Sequence, residues 1–236
     1  MLGPAIIYIM RPHPPHRRAF TLVELLVVIG IIALLVAILL PALNRAKKQA
    51  NTLVCASDIR QILQAFRLYA MDNRDHLPQA PWIGVRPTAQ FSNCAFTFDS
   101  DAVANYSYGA LLKYIGGTPQ VREKIMLCPD DECISPFDRS IRRNFSYSFN
   151  YLIDLNGPQP KTDTLKLSTI RQTGQRILVF VERYPNDGYC VWTLWDADAL
   201  TDRHSGRCNA GFVDGHVQRY YPREIFDRPI YCDIMQ

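Results

Sequence analysis

From Phe20 to Leu40 the chain is apolar at almost every position: 16 of 21 residues are Leu, Ile, Val or Phe, and only Thr21 and Glu24 are clearly polar. As a helix rising about 1.5 Å per residue the run spans roughly 31 Å, the thickness of a hydrocarbon core. Its large apolar residues contribute about −5 to −10 kcal/mol to insertion, against at most roughly 3 for one acid, so a membrane span is predicted despite Glu24. Past Pro41 the rhythm becomes amphipathic. No Pro or Gly interrupts Ala42 to Met71, and Ile59, Ile62, Leu63, Phe66 and Tyr69 recur at three- and four-residue steps, a stripe on one side. One long helix is predicted, in lipid over 20–40 and amphipathic over 41–75, kinked by Pro41 and ended by Asn73 and Pro78.

Beyond it, Gln79 to Tyr106 is rich in Pro, Ser, Asn and Thr without a sustained period and reads as an ordered but irregular loop. Tyr108, Leu111, Leu112 and Ile115 predict a short amphipathic helix stopped by Gly116-Gly117. Strand patterns follow. Tyr147, Phe149 and Tyr151 alternate, Arg176 to Glu182 is a compact apolar run, and Tyr189 to Trp195 is aromatic and β-branched. The predicted class is α+β, a long N-terminal helix packed on a C-terminal antiparallel sheet.

Composition refines this picture. A chain of 236 residues, 48% hydrophobic and 20% charged, leaves one globular head over 76–236 once residues 1–19 and the helix are set aside. The net charge of +4 is mild, and the one basic cluster, Arg45-Ala-Lys47-Lys48, follows the span directly, where it suits anionic lipid headgroups. No nucleic-acid motif is present. Seven cysteines, at 55, 94, 128, 133, 190, 208 and 232, point to an oxidising compartment, and an odd number leaves at least one unpaired or joined between chains. Cys128-Pro-Asp-Asp-Glu-Cys133 has the spacing of half a metal knuckle, but no second pair accompanies it. A loop disulfide or two thiols in a turn is the preferred reading over zinc.

The sequence before the span carries more information. Arg17-Arg18-Ala19 followed by Phe20-Thr-Leu-Val-Glu24-Leu-Leu resembles the type IV prepilin cleavage and methylation signal. The resemblance implies a pilin-like fold, a prepilin peptidase that cuts Ala19–Phe20 and methylates the Phe20 amine, and a Glu24 that pairs with the amine of a neighbouring subunit. One departure is Ala19, where the family usually has Gly. Residues 1–19 then form the leader, with Met10 a second candidate start besides Met1. Arg11, Arg17 and Arg18 before the span balance Arg45, Lys47 and Lys48 after it, so charge alone sets no orientation. The resemblance does: leader in the cytoplasm, a single pass through the bacterial inner membrane, head exported. The stretch from Cys55 through Gln61 to Pro78 also resembles the helix-to-loop junction of pseudopilin-like proteins.

A second informative segment runs from Asp202 to Val217. His204, nine residues, then Asp214-Gly215 resembles the H-x9-DG ending of a large family of exported prepilin-like proteins. Physically, Asp-Gly between Phe212-Val213 and His216-Val217 is a strong hairpin signal, read as a type I′ turn. The alternative is a divalent-metal site formed by Asp202, His204, Asp214 and His216, whose two Asp-x-His pairs share side-chain types with such sites. The turn reading requires no metal and no other cofactor.

No G-x-S-x-G, HExxH, Walker or dinucleotide signature occurs, and the neighbourhood of Cys208 and His204 in sequence does not make a nucleophilic site. The reading is therefore a non-enzymatic, pilin-like or pseudopilin-like subunit, assembled through its N-terminal helix into a membrane-anchored filament or a type II secretion-like assembly. Its partners are the prepilin peptidase, other pilin-like subunits and the bilayer. The alternative is a tethered, non-polymerising module binding carbohydrate or metal, with Tyr106, Tyr108, Trp192 and Trp195 as stacking aromatics.

Overall fold

A computed structural model describes residues 21–78, 97–100, 103–105, 109–132, 142–150, 165–183, 189–190 and 200–226. The chain divides into two compact units, Met1–Asn44 and Arg45–Gln236. One helix, α1 (Leu22–Asp72), contributes to both and runs on through Pro41. In the first unit every described residue is exposed, including the large apolar side chains from Leu22 to Leu43.

In the second unit α1 gains a buried face comprising Thr52, Cys55, Asp58, Ile59, Ile62, Leu63, Ala65, Phe66, Tyr69 and Ala70. This contains the whole predicted stripe. The helix ends where Asn73 folds back on Tyr69, its amide Nδ2 donating to the Tyr69 carbonyl at 2.7 Å. Arg74 and Asp75 then take positive φ, and the Asp75 N–H closes the end on the Ala70 carbonyl at 2.8 Å.

The buried face meets a five-stranded sheet formed by β3 (Tyr147–Asn150), β4 (Ile177–Val181), β5 (Tyr189–Cys190), β6 (Cys208–Phe212) and β7 (Val217–Tyr220). The order is β5-β3-β4-β6-β7. Four of these strands are antiparallel neighbours, as predicted, whereas the two-residue β5 adds to the β3 edge in parallel. Every residue of β3, β4 and β6 is buried, so these strands are covered on both faces. Phe66 of the helix meets Phe149 of β3 edge to face, with ring centroids 5.0 Å apart. Asn209 of β6 donates its amide to the Thr52 carbonyl of α1 at 3.0 Å.

Two features differ from the sequence reading. The segment whose composition predicts an irregular loop contains a short hairpin, β1 (Thr97–Ser100) and β2 (Val103–Asn105), because β-forming residues persist inside its polar composition. The predicted short helix is present as α2 (Leu112–Ile115), followed by Gly116 and Gly117 at φ of 74° and 71°. A further helix, α3 (Pro119–Ile125), starts directly afterwards with Pro119 in its first turn. The described chain closes with α4 (Pro222–Phe226).

Candidate functional site

At the start of α1 the one acid of the exposed apolar run is held by a local device. Glu24 Oε2 accepts the Thr21 N–H at 2.9 Å and the Thr21 hydroxyl at 2.8 Å, while Thr21 Oγ1 accepts the Glu24 N–H at 3.2 Å. This reciprocal capping box satisfies donors at the helix start that have no partner within the helix. Its signal, Thr-x-x-Glu, is a local one that the sequence carries in full and that hydrophobic patterning alone does not pick out. Ala19 and Phe20 lie outside the described residues, as do Tyr106, Tyr108, Trp192 and Trp195.

His204 belongs to the head interior. It sits in a tight loop before β6, where Ser205 and Gly206 take positive φ and the Gly206 N–H donates to the Asp202 carbonyl at 2.8 Å. That turn directs the imidazole inward, and His204 is 1% exposed. Its Nδ1 faces Asp130 Oδ2 at 3.1 Å and Thr52 Oγ1 at 3.4 Å. The Thr52 proton is committed to the Lys48 carbonyl at 2.8 Å, so Thr52 presents a lone pair to the ring. Two acceptors at Nδ1 place the ring proton there and leave the Nε2 lone pair toward Cys128 Sγ, 3.4 Å away. Asp130 is itself fixed by the Asn51 amide at 2.6 Å. The bond from Cys55 and burial together hold the Cys128 thiol far above its ordinary range, with His204 opposing them. The thiol of Cys208, the first residue of β6, is pushed up to about 12 by burial.

The Asp-Gly turn is present with a different geometry. The Gly215 N–H donates to the Phe212 carbonyl at 2.8 Å and the Phe212 N–H to His216 at 2.9 Å, closing a three-residue loop. Of that loop only Gly215 has positive φ, at 90°. This is a type I turn with a G1 bulge, not a type I′ turn, because the strand register leaves three residues between Phe212 and His216. Asp214 Oδ1 accepts the His216 backbone N–H at 3.1 Å and its ring nitrogen at 2.5 Å. Burial alone would raise the Asp214 pKa; the bonds from His216 and the charge of Arg67 bring it below the usual carboxylate value. Arg67 of α1 donates to the Asp214 carbonyl.

Asp202, His204, Asp214 and His216 therefore do not share a centre. Asp202 faces Arg183 at 3.3 Å, His204 faces the core, and Asp214 pairs with His216. Among the described residues the ligating side chains that do cluster are Cys55, Cys128 and His204, their ligand atoms within 4.8 Å of one another. Cys55, Cys128 and Cys208 are free, buried thiols, and Cys133, the neighbour considered for Cys128, lies outside the described residues. Beside this cluster Asp131 receives Arg143 at 3.0 Å and Arg203 at 3.3 Å. A pocket of about 420 Å³ lined by Asp130, Asp131, Arg143, Thr201 and Arg203 opens there. Neither grouping was foreseeable from spacing, since its members come from separate segments.

Comparison with known proteins connects the N-terminal helix to a family. The profile described as the prokaryotic N-terminal methylation motif matches residues 14–40. The type IV wide pilus major component PilA4 of Thermus thermophilus is 37% identical over 104 residues, which is 44% of this chain and 78% of that protein. No solved structure matches the chain. An exposed apolar helix with a capped acid near its start, the methylation motif laid over it and this degree of identity to a pilus subunit lead to one conclusion: the chain belongs to the type IV pilin family.

Proposed function

We propose that the chain is the precursor of a structural subunit that a prepilin peptidase cuts at Ala19–Phe20 and that then assembles through its N-terminal helix. The observation that carries this reading is the fully exposed apolar run from Leu22 to Leu43, interrupted by the single carboxylate of Glu24. A lone acid in hydrocarbon is costly, and a cationic partner offsets that cost. Cleavage supplies one, because the new Phe20 amine of a neighbouring subunit can meet Glu24. The Thr21 cap holds Glu24 locally until that stronger, charge-assisted partner arrives.

Before assembly the protein sits in the bacterial inner membrane with its leader in the cytoplasm and its head exported. The product is a pilus rather than a type II secretion-like assembly, the reading favoured by similarity to a pilus major component. The His204 and Asp214-Gly215 ending then serves the architecture of the head.

Mass spectrometry of the protein taken from membranes tests the reading. The expected mature N-terminus is methylated Phe20; an intact leader, or a start near Asn44, overturns it. Glu24→Gln is expected to insert and be cleaved normally while giving weaker crosslinked oligomers. Unchanged oligomers would remove assembly as the role of Glu24.

A further inference from the structure

Three ligating side chains from three elements meet inside the head. Cys55 comes from the buried face of α1, Cys128 from the turn after α3, and His204 from the loop before β6. All are at most 2% exposed, and their ligand atoms lie within 4.8 Å of one another. Two further facts separate this from three core residues in casual contact. The His204 ring is held as metal-bound imidazoles are: Nδ1 donates to a carboxylate, Asp130 Oδ2 at 3.1 Å, and Nε2 is aimed at sulfur. The carboxylate is in turn fixed by Asn51.

We propose that Cys55, Cys128 and His204 bind one zinc-type divalent ion, with Asp130 as the positioning residue that orients the imidazole. Metal–sulfur bonds of about 2.3 Å and metal–nitrogen bonds of about 2.0–2.1 Å put the ligand atoms of a tetrahedral site about 3.5–3.8 Å apart. Cys128 Sγ and His204 Nε2 already stand at 3.4 Å. Two thiols and an imidazole select borderline or soft metals over calcium or magnesium, which favour oxygen. The exchange balances: two thiols release two protons, and one dication takes two thiolates, a neutral imidazole and one water as its fourth ligand. No net charge is then left in the core. The pocket bordered by Asp130 and Thr201 gives access from solvent to the residues flanking this centre. The competing chemistry is a Cys55–Cys128 disulfide, which would consume both sulfurs.

The full chain, purified in detergent under a non-chelating reductant and stripped with EDTA, is titrated with zinc and separately with cobalt(II). Expected are one ion per chain, two protons released, a melting temperature that rises with free zinc, and a cobalt spectrum with thiolate charge-transfer and tetrahedral ligand-field bands. That spectrum reports thiolate ligation without any variant. Cys55→Ser, Cys128→Ser and His204→Ala are each expected to abolish stoichiometric binding. Asp130→Asn should keep the cobalt spectrum and weaken affinity about 10- to 100-fold, while Asp214→Asn should leave binding unchanged. Absence of zinc binding by the wild type, stoichiometric binding that survives Cys55→Ser or Cys128→Ser, or a Cys55–Cys128 disulfide found by non-reducing peptide mapping of protein from membranes overturns the proposal.

Discussion

Gly211 of β6 approaches Ile59 of α1 so closely that a Cβ built on it would stand 2.4 Å from Ile59 Cγ2 and 2.8 Å from Leu63 Cδ1. The helix can lie this near the sheet because Gly211, on the same face of β6 as the Asn209 that bonds the Thr52 carbonyl of α1, has no side chain. Gly211→Ala is therefore expected to destabilise the protein by about 1–3 kcal/mol through overpacking, measured by denaturant unfolding. Combining it with Ile59→Ala should cost less than the sum of the two single changes, since the space vacated by one methyl receives the other. Strict additivity would place the clash elsewhere.

The bulge at Gly215 makes a separate claim. Its φ of 90° is a conformation that a β-branched residue adopts only under strain, and a Cβ there would also stand 2.8 Å from the Arg67 guanidinium carbon. Gly215→Val should cost more than about 1 kcal/mol, and Gly215→Asn less, because Asn tolerates positive φ better. Repeating Gly215→Val in an Arg67→Ala background separates the two causes. A penalty that vanishes there would leave the backbone argument without support.

The features legible in the sequence were those written over a few consecutive turns or strand residues. The α1 stripe from Ile59 to Tyr69 was readable because helical periodicity survives over many residues, and 176–182 because five consecutive buried residues leave an apolar run. The type of the Asp214-Gly215 turn was misjudged because loop length depends on the register of β6 against β7, which the dipeptide does not encode. The helix α3 went unread although Thr118-Pro119 is a start signal, since its residues show no buried stripe. The Cys55, Cys128 and His204 cluster was beyond reach: its members fall in three segments, and the local pairing of Cys128 with Cys133 was the more visible pattern.

The buried ion pairs around Asp131 differ in weight from the exposed one nearby. Arg143 and Asp131 have side chains only 2% and 1% exposed, whereas Arg183 and Asp202 are 42% and 57% exposed. Asp131→Ala leaves the Arg143 guanidinium buried without its carboxylate and is expected to cost about 3–5 kcal/mol. Asp202→Ala should change stability by less than about 1 kcal/mol. Unfolding midpoints of the two variants compared in one buffer check this ordering, and equal losses would contradict it.

Asp58 gives the stability of the head a pH dependence of unusual sign. It lies on the sheet-facing side of α1, 7% exposed, with the Tyr147 hydroxyl 3.5 Å from its Oδ2. Burial pushes its pKa up to about 7, against a smaller lowering by the Tyr147 hydrogen bond. In the unfolded chain the same carboxyl titrates at about 3.9. Between those values the native state holds a proton that the unfolded state has lost, so this group's contribution to stability is complete below about pH 4. It declines as pH rises toward about 7 and is constant above. Asp58→Asn keeps the shape and removes the titration. The difference in melting temperature, variant minus wild type, is therefore expected to grow from pH 4 to pH 7 and then level off. Both proteins are melted in chelator, so that proton release from Cys55 and Cys128 on metal binding adds nothing to the curve. A difference that stays flat across this window, or that shrinks as pH rises, would show that Asp58 is ionised in the folded head.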